Sequence, residues 1–166
     1  MLYLDACAVV KRYVDEHDGA TAIMEEIMMD AAPWGGLIAS EWLVLEVTST
    51  LAKKLRTAQI SERAYRALLR RFRTDAEAID LIPVDSTTVD SATRLMEQAG
   101  TERSLHSGDA VHLYTAIQVR DAVGAPDTLV VVSADKGLNG VATSHGLVVF
   151  DPRLHSIADL EALFGR

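Results

Sequence analysis

The sequence predicts an α/β fold with a central parallel sheet of about five strands. Short β-branched or apolar runs alternate with longer stretches of helical period, which is the pattern of βαβ units. The 166 residues, 49% of them hydrophobic, suffice for one sizeable core and are short for two, so residues 1–166 are expected to form a single domain. The longest apolar-rich stretches, such as Thr128 to Val132, fall far below the roughly 20 residues that a membrane-spanning helix needs.

In chain order, Leu2 to Asp5 is the first expected strand, a short apolar run of the kind a sheet covered on both faces requires. Helices follow over Cys7 to Glu16 and Ala20 to Asp30; the second carries Ile23, Met24, Ile27, Met28 and Met29, an apolar set suited to a core or an oligomer surface. Asp30-Ala31-Ala32-Pro33 with Gly35-Gly36 breaks the chain before a strand at Gly36 to Ala39. Helices are then expected over Ser40 to Arg56 and Ser61 to Ile79, a strand over Leu81 to Val84, and helices over Thr87 to Ala99 and Ser107 to Arg120. Ser40, Ser61 and Ser107 stand where N-caps are favoured. After the breaker Gly124-Ala125-Pro126-Asp127, strands are expected at Thr128 to Ser133 and Leu147 to Phe150. No internal repeat or low-complexity tract interrupts this order.

Lysine and arginine number 16 against 24 acids, a net charge of −8, which excludes a wholly basic nucleic-acid-coating protein and leaves room for a local basic patch. The one cysteine, Cys7, cannot form an internal disulfide. The opening Met-Leu-Tyr-Leu runs into Asp5 without a basic and then apolar leader, so the expectation is a soluble cytoplasmic protein without a membrane anchor.

Right-handed βαβ units bring the ends of the strands and the starts of the following helices to one edge of the sheet, where open α/β folds bind ligands. Asp5 ends the first strand, Asp135 lies just past the Thr128 to Ser133 strand, and Asp109 falls in the first turn of a helix starting at that edge. Glu46 interrupts the apolar run Trp42-Leu43-Val44-Leu45-Glu46-Val47, and a glutamate in such a setting is seldom buried unpaired. It lies about 9 Å along the helix axis from Ser40, within reach of the helix start for a long side chain. Dipole complementarity alone accounts for an acid such as Asp109 or Glu41 near a helix N-terminus. A cluster of four is different, because like charges repel unless a cation neutralises them. All-oxygen donors point to Mg²⁺ or Mn²⁺, and the sequence has neither the cysteine pair nor the H-E-x-x-H spacing of a zinc site.

Between Lys53 and Arg73 eight basic residues stand against Glu62 alone. Arg63, Arg66, Arg70 and Arg73 fall on one helical face, with Tyr65, Leu68, Leu69 and Phe72 on another. This reads either as a solvated amphipathic helix or as a surface that tracks nucleic-acid phosphates. The histidines His17, His106, His112, His145 and His155 lack metal-ligand spacing and read as structural or surface residues, with His112 packing or hydrogen-bonding near the proposed site.

Four segments in order carry a family resemblance: Leu2-Tyr3-Leu4-Asp5-Ala6-Cys7-Ala8-Val9-Val10-Lys11, Ala39-Ser40-Glu41-Trp42-Leu43-Val44-Leu45-Glu46-Val47, Leu105-His106-Ser107-Gly108-Asp109-Ala110-Val111-His112-Leu113, and Val132-Ser133-Ala134-Asp135-Lys136-Gly137-Leu138. Together they resemble the motifs of PIN-domain nucleases, particularly VapC-type toxins, over Leu2 to about Pro152. The resemblance implies a PIN-like three-layer α/β/α fold and a metal-dependent endoribonuclease acting on RNA as the toxin of a toxin–antitoxin pair. It also implies a cognate antitoxin partner and a homodimer. Carried over, Asp5, Glu46, Asp109 and Asp135 are the catalytic and metal-holding acids for Mg²⁺ or Mn²⁺. Cys7 stands where the family usually has Ser or Thr supporting the carboxylates, and Ser133 is a second supporting residue. His106, with Arg103 nearby, stands where many relatives have Arg or Lys.

A carboxylate-held divalent ion suits phosphodiester hydrolysis, and either Asp135 or Glu46 orients or deprotonates the attacking water. Two further readings stay open on sequence. A receiver-like phosphoaspartyl domain would use Asp5 as nucleophile, although the related dehalogenase pattern wants Asp where Cys7 stands. A PIN-like binding module with a degenerate site is the non-enzymatic alternative.

Overall fold

Five short strands, LYL, LIAS, IDLI, VVV and VVF, form the framework: β1 (Leu2–Leu4), β2 (Leu37–Ser40), β3 (Ile79–Ile82), β4 (Val130–Val132) and β5 (Val148–Phe150). The computed structural model describes residues 1–99, 105–124 and 129–165. All neighbouring strands pair in parallel, in the order β3-β2-β1-β4-β5. Receiver domains use a different doubly wound order, 2-1-3-4-5. Central β1 sets the register on both sides, Leu2 opposite Leu37 and Val130, Tyr3 opposite Ile38 and Val131.

The helices are α1 (Ala6–Lys11), α2 (Ala20–Met29), α3 (Trp42–Arg56), α4 (Glu62–Ala76), α5 (Ser86–Ala99), α6 (Ser107–Val123), α7 (Lys136–Ser144) and α8 (Ile157–Leu163). Side chains alternate across the pleat, so each strand feeds two cores. Leu2, Leu4, Leu37, Val130 and Val132 pack with Val9, Met24, Ile27, Leu43, Val47, Leu51, Phe72 and Leu160. Tyr3 and Val131 pack on the opposite face with Ala92, Ala110, Leu113, Ala116, Leu138 and Val141. Two helical layers thus sandwich the sheet, the three-layer α/β/α arrangement that the family resemblance implies.

Several boundaries differ from expectation. The first helix ends at Lys11 rather than Glu16, and the chain then loops back, held by Lys11 ion pairs to Glu16 and Asp18 and turned through Gly19 at φ 80°. The helix expected to reach Ile79 ends at Ala76, because Ile79 is drawn into the sheet opposite Leu37. The strand expected at Leu81 to Val84 lies two residues earlier and stops before Pro83, which has no N–H for the ladder. Ser61 caps α4 by accepting from the Ala64 N–H at 3.2 Å, as expected. Ser40 instead ends β2, and Ser107 is the first residue of α6 with His106 in the cap position. Helices α7 and α8, nine and seven residues long, were not expected from the sequence; Asp135 and Ser156 cap them. The expected breaker at 125–127 and Arg103 lie outside the described residues.

The arginine-rich α4 has a single fully buried side chain, Phe72, 1% exposed and edge-on to Tyr13 with ring centroids 5.8 Å apart. Beside it the Tyr13 hydroxyl donates to Asp75 at 2.8 Å, and Asp75 also pairs with Arg12. Replacing Phe72 by Ala is expected to lower unfolding free energy by about 3–5 kcal/mol in denaturant titrations, because the cavity lies where α4 joins the core.

Candidate metal centre

In a parallel sheet the crevice forms where successive crossovers leave neighbouring strands in opposite directions. Here that point is the carboxyl end of β1 and β4, which pair with each other while β1 also pairs with β2. Asp5 follows Leu4, and Ser133 and Asp135 follow Val132. From the flanking layers α3 brings Glu46 and the first turn of α6 brings Asp109. All four expected acids, Asp5, Glu46, Asp109 and Asp135, line one open cleft of about 470 Å³.

Each acid is fixed by a hydrogen bond through one oxygen. Asp5, 3% exposed, accepts through Oδ2 from the Cys7 thiol at 2.5 Å and from the Ser133 hydroxyl at 2.9 Å. Burial and the Asp5 charge push the Cys7 thiol up, which keeps it protonated and able to donate. Ser133 Oγ in turn accepts from the Asp135 N–H at 3.0 Å, and Cys7 Sγ from the Ala134 N–H at 3.1 Å. Asp135 caps α7, its Oδ1 accepting from the Leu138 N–H at 2.8 Å. Asp109 closes the start of α6 by accepting through Oδ2 from the His106 N–H at 3.0 Å. Glu46 accepts through Oε2 from His112 Nε2 at 2.9 Å. Among the described residues, Asp5 Oδ1, Glu46 Oε1, Asp109 Oδ1 and Asp135 Oδ2 accept no protein hydrogen bond.

Charge is left over in this cleft. Among the described residues no lysine or arginine pairs with any of the four acids; the ion-pair contacts of Asp5 and Glu46 are with His112. Burial first, and then the charges of Asp5 and Asp135, raise the Asp109 carboxyl to about 6. Burial alone would lower the His112 imidazole, but the bond to Glu46 and the charges of Asp5, Glu46 and Asp109 raise it. Oxygen donors carrying unneutralised charge fit a hard divalent cation.

His112 is the residue that sequence reasoning placed only nearby. It is buried, and donor atoms of Asp5, Glu46 and His112 lie within 4.8 Å of one another. Its one sequence signal is position, three residues after Asp109 on α6. Lys11 and Arg153 also line the cleft and were not singled out by the sequence, since nothing local marks them as neighbours of Asp5. Arg63, Arg66, Arg70 and Arg73 are all exposed on α4, and the first three line a separate groove of about 290 Å³ with Glu62, whose carboxylate pairs with Arg66 at 2.5 Å.

An acidic crevice at the switch point of a 3-2-1-4-5 parallel sheet, able to hold a divalent cation, is the class of site that this fold and these acids define. The chain belongs to the PIN domain family, whose model matches residues 2–144. A chain of the crystal structure of FitAcB from Neisseria gonorrhoeae superposes with a TM-score of 0.66 at 17% identity, covering 93% of this chain and 100% of that one. A chain from the structure of FitAB bound to an IR36 DNA fragment gives 0.63 at 16% identity, covering 94% and 98%. Those likenesses concern the fold. No curated protein matches the sequence.

Because the folded-state Asp109 carboxyl lies near 6 rather than the ordinary 3.8, its contribution to stability is full below about pH 4 and lost as pH rises through 6. The metal-free wild-type protein is therefore expected to lose more melting temperature between pH 5 and pH 7 than Asp109→Asn does. Scanning calorimetry of both proteins in chelator checks this, and parallel pH profiles would remove Asp109 as the cause.

Proposed function

We propose that this chain, working as one PIN domain over residues 1–166, is a Mg²⁺- or Mn²⁺-dependent endoribonuclease and the toxin component of a toxin–antitoxin pair. The observation that carries the reading is the meeting of Asp5, Glu46, Asp109 and Asp135 in one cleft, each with one oxygen tethered and one left to face a ligand. PIN-family membership supports nuclease chemistry for that cleft.

In the mechanism, Asp5, Glu46, Asp109 and Asp135 hold the cation. When bound, the divalent ion supplies positive charge for a phosphoryl oxygen and acidity for a water. Cys7 and Ser133 lock one oxygen of Asp5, so its free oxygen faces the cleft without reorganisation. Where Asp135 or Glu46 instead serves as the base, its untethered oxygen orients or deprotonates the attacking water rather than holding the cation. The exposed Arg63, Arg66, Arg70 and Arg73 face contacts backbone phosphates at a distance from the reacting bond and counters the overall charge of −8.

Incubation with total RNA in Mg²⁺ or Mn²⁺ should give fragments with 5′-phosphate and 3′-hydroxyl ends, none in EDTA, and none with Asp5→Asn combined with Asp109→Asn. Cyclic 2′,3′-phosphate ends would replace the metal-activated water by acid–base catalysis through a histidine such as His106. Equal cleavage of single-stranded DNA would overturn the RNA specificity. Arg66→Ala with Arg70→Ala should lower the salt dependence of RNA binding by roughly 0.7 in log–log slope per lost contact. An unchanged slope would make α4 a solvated face.

The same acids suit a partner's guanidinium, a rigid fork that pairs with carboxylates. On this reading the chain acts in the cytoplasm as a homodimer, and a cognate antitoxin segment reaches the acids with a basic side chain. Antitoxin and Mn²⁺ then weaken each other's binding by the same factor, which titration of one in the presence of the other measures. Full-strength metal binding in the saturated complex would place inhibition elsewhere.

A further inference from the structure

The carboxylate of Glu46 is the one acid of the cleft that reaches it from a mid-helix position on a long side chain, so its placement needs more than a single cap bond. Two residues of α6, one helical turn apart, hold it from either side. Gly108 lies against it so closely that a methyl group built on the glycine would sit 1.8 Å from Glu46 Oε1. His112 donates to the other oxygen, Oε2, at 2.9 Å. A carboxylate can only accept, so Nε2 of His112 carries the hydrogen in that bond. The remaining ring nitrogen, Nδ1, is bonded to the Tyr3 hydroxyl at 3.1 Å, and that hydroxyl accepts the Ser40 N–H at 3.2 Å. Tyr3 and His112 are 0% and 1% exposed, so the chain runs from the middle of the sheet to the cleft without contact with water.

We propose that Gly108, His112 and Tyr3 form a positioning device for Glu46, in which the glycine admits the carboxylate and the histidine, locked by the tyrosine, fixes which oxygen faces the cation. His112 is on this account a support and not a ligand, even though its Nε2 lies among the acidic donors. Both of its nitrogens are committed to protein partners, and turning Nε2 to a metal would leave Glu46 Oε2 without its donor. The proposal rests on the metal-centre reading above and deepens it. Outer partners of this kind commonly change metal affinity by about 10–100-fold when removed.

The test uses the full chain with Mn²⁺ as the probe, read by calorimetry for affinity and by thermal unfolding in chelator for stability. Gly108→Ala is the sharpest variant, because the obstructing atom is the end of the flexible Glu46 side chain and alanine is the better helix former. It should keep or raise the metal-free melting temperature while lowering Mn²⁺ affinity by about tenfold or more. Adding Glu46→Asp, which shortens the displaced side chain, should recover part of that loss. His112→Leu should weaken Mn²⁺ binding by about 10–100-fold, and His112→Gln, which offers an amide N–H near the position of Nε2, should bind more tightly than the leucine variant. Tyr3→Phe should lower affinity by a smaller factor than His112→Leu. Pulsed electron paramagnetic resonance of the Mn²⁺ protein should show no directly bound nitrogen. Wild-type affinity in Gly108→Ala, or a nitrogen bound to Mn²⁺, overturns the device while leaving the metal centre in place. Absence of Mn²⁺ binding to the wild-type chain overturns the metal-centre reading and the device with it.

Discussion

Repulsion among carboxylates gathered at the end of β1 and β4 is the constraint on which the site depends. A buried acid is tolerated when its charge is matched or its oxygens are bonded, and here bonding does most of that work. Asp5 leans on Cys7 and Ser133, Asp109 on the N–H of His106, the cap residue of α6, Asp135 on an N–H in the first turn of α7, and Glu46 on His112. Helix starts are well suited to this task because their orphan N–H groups and dipole favour negative charge. Capping by Asp109 and Asp135 is therefore compatible with the ligand role proposed for them, since each cap uses one oxygen and leaves the other. What hydrogen bonds leave uncompensated appears as the raised Asp109 carboxyl.

The order of elements and the sheet edge were legible in the sequence because both follow from local pattern. Parallel strands covered on both faces read as short apolar runs, and Asp5, Asp109 and Asp135 sit at fixed places relative to those runs. Glu46 was legible as an anomaly, a charge inside an apolar helix. Boundaries failed where tertiary pairing overrode local propensity, as at Ile79, whose neighbours favour helix but whose side chain is buried in the sheet. Helices α7 and α8 were missed because they are short and their starts depend on single caps, Asp135 and Ser156. The role of His112 could not be read from spacing, since its partners Tyr3 and Glu46 lie 109 and 66 residues away in sequence.

Charge is also divided at a larger scale. The arginines of α4 point outward from a helix anchored by Phe72, whereas the acids point into a cleft between α1, α3, α6 and α7. A polyanion is repelled by the bulk charge of −8, so approach is favoured only where basic groups are concentrated. On the nuclease reading proposed above, separating the two sets lets one surface attract phosphates without filling the other with competing cations.

That separation holds inside the cleft as well, where two cationic side chains line the wall and neither neutralises the four acids. Lys11 is bound by Glu16 and Asp18, and Glu16 also engages Lys54 at 2.5 Å. Arg153 is held by Asp151, whose carboxylate accepts from the guanidinium at 2.6 Å. Hydrogen bonds and charge from these partners hold the Asp18 and Glu16 carboxyls below their ordinary range, and the Asp151 carboxyl falls below it too because the bonds from Arg153 outweigh its burial. A lysine left free beside Asp5 would be drawn to the carboxylates, satisfy them, and occupy the position of an exchangeable cation. Supplying each wall cation with acids outside the cluster removes that outcome: the positive charge stays with those acids, and the deficit at Asp5, Glu46, Asp109 and Asp135 remains open to a ligand from solution.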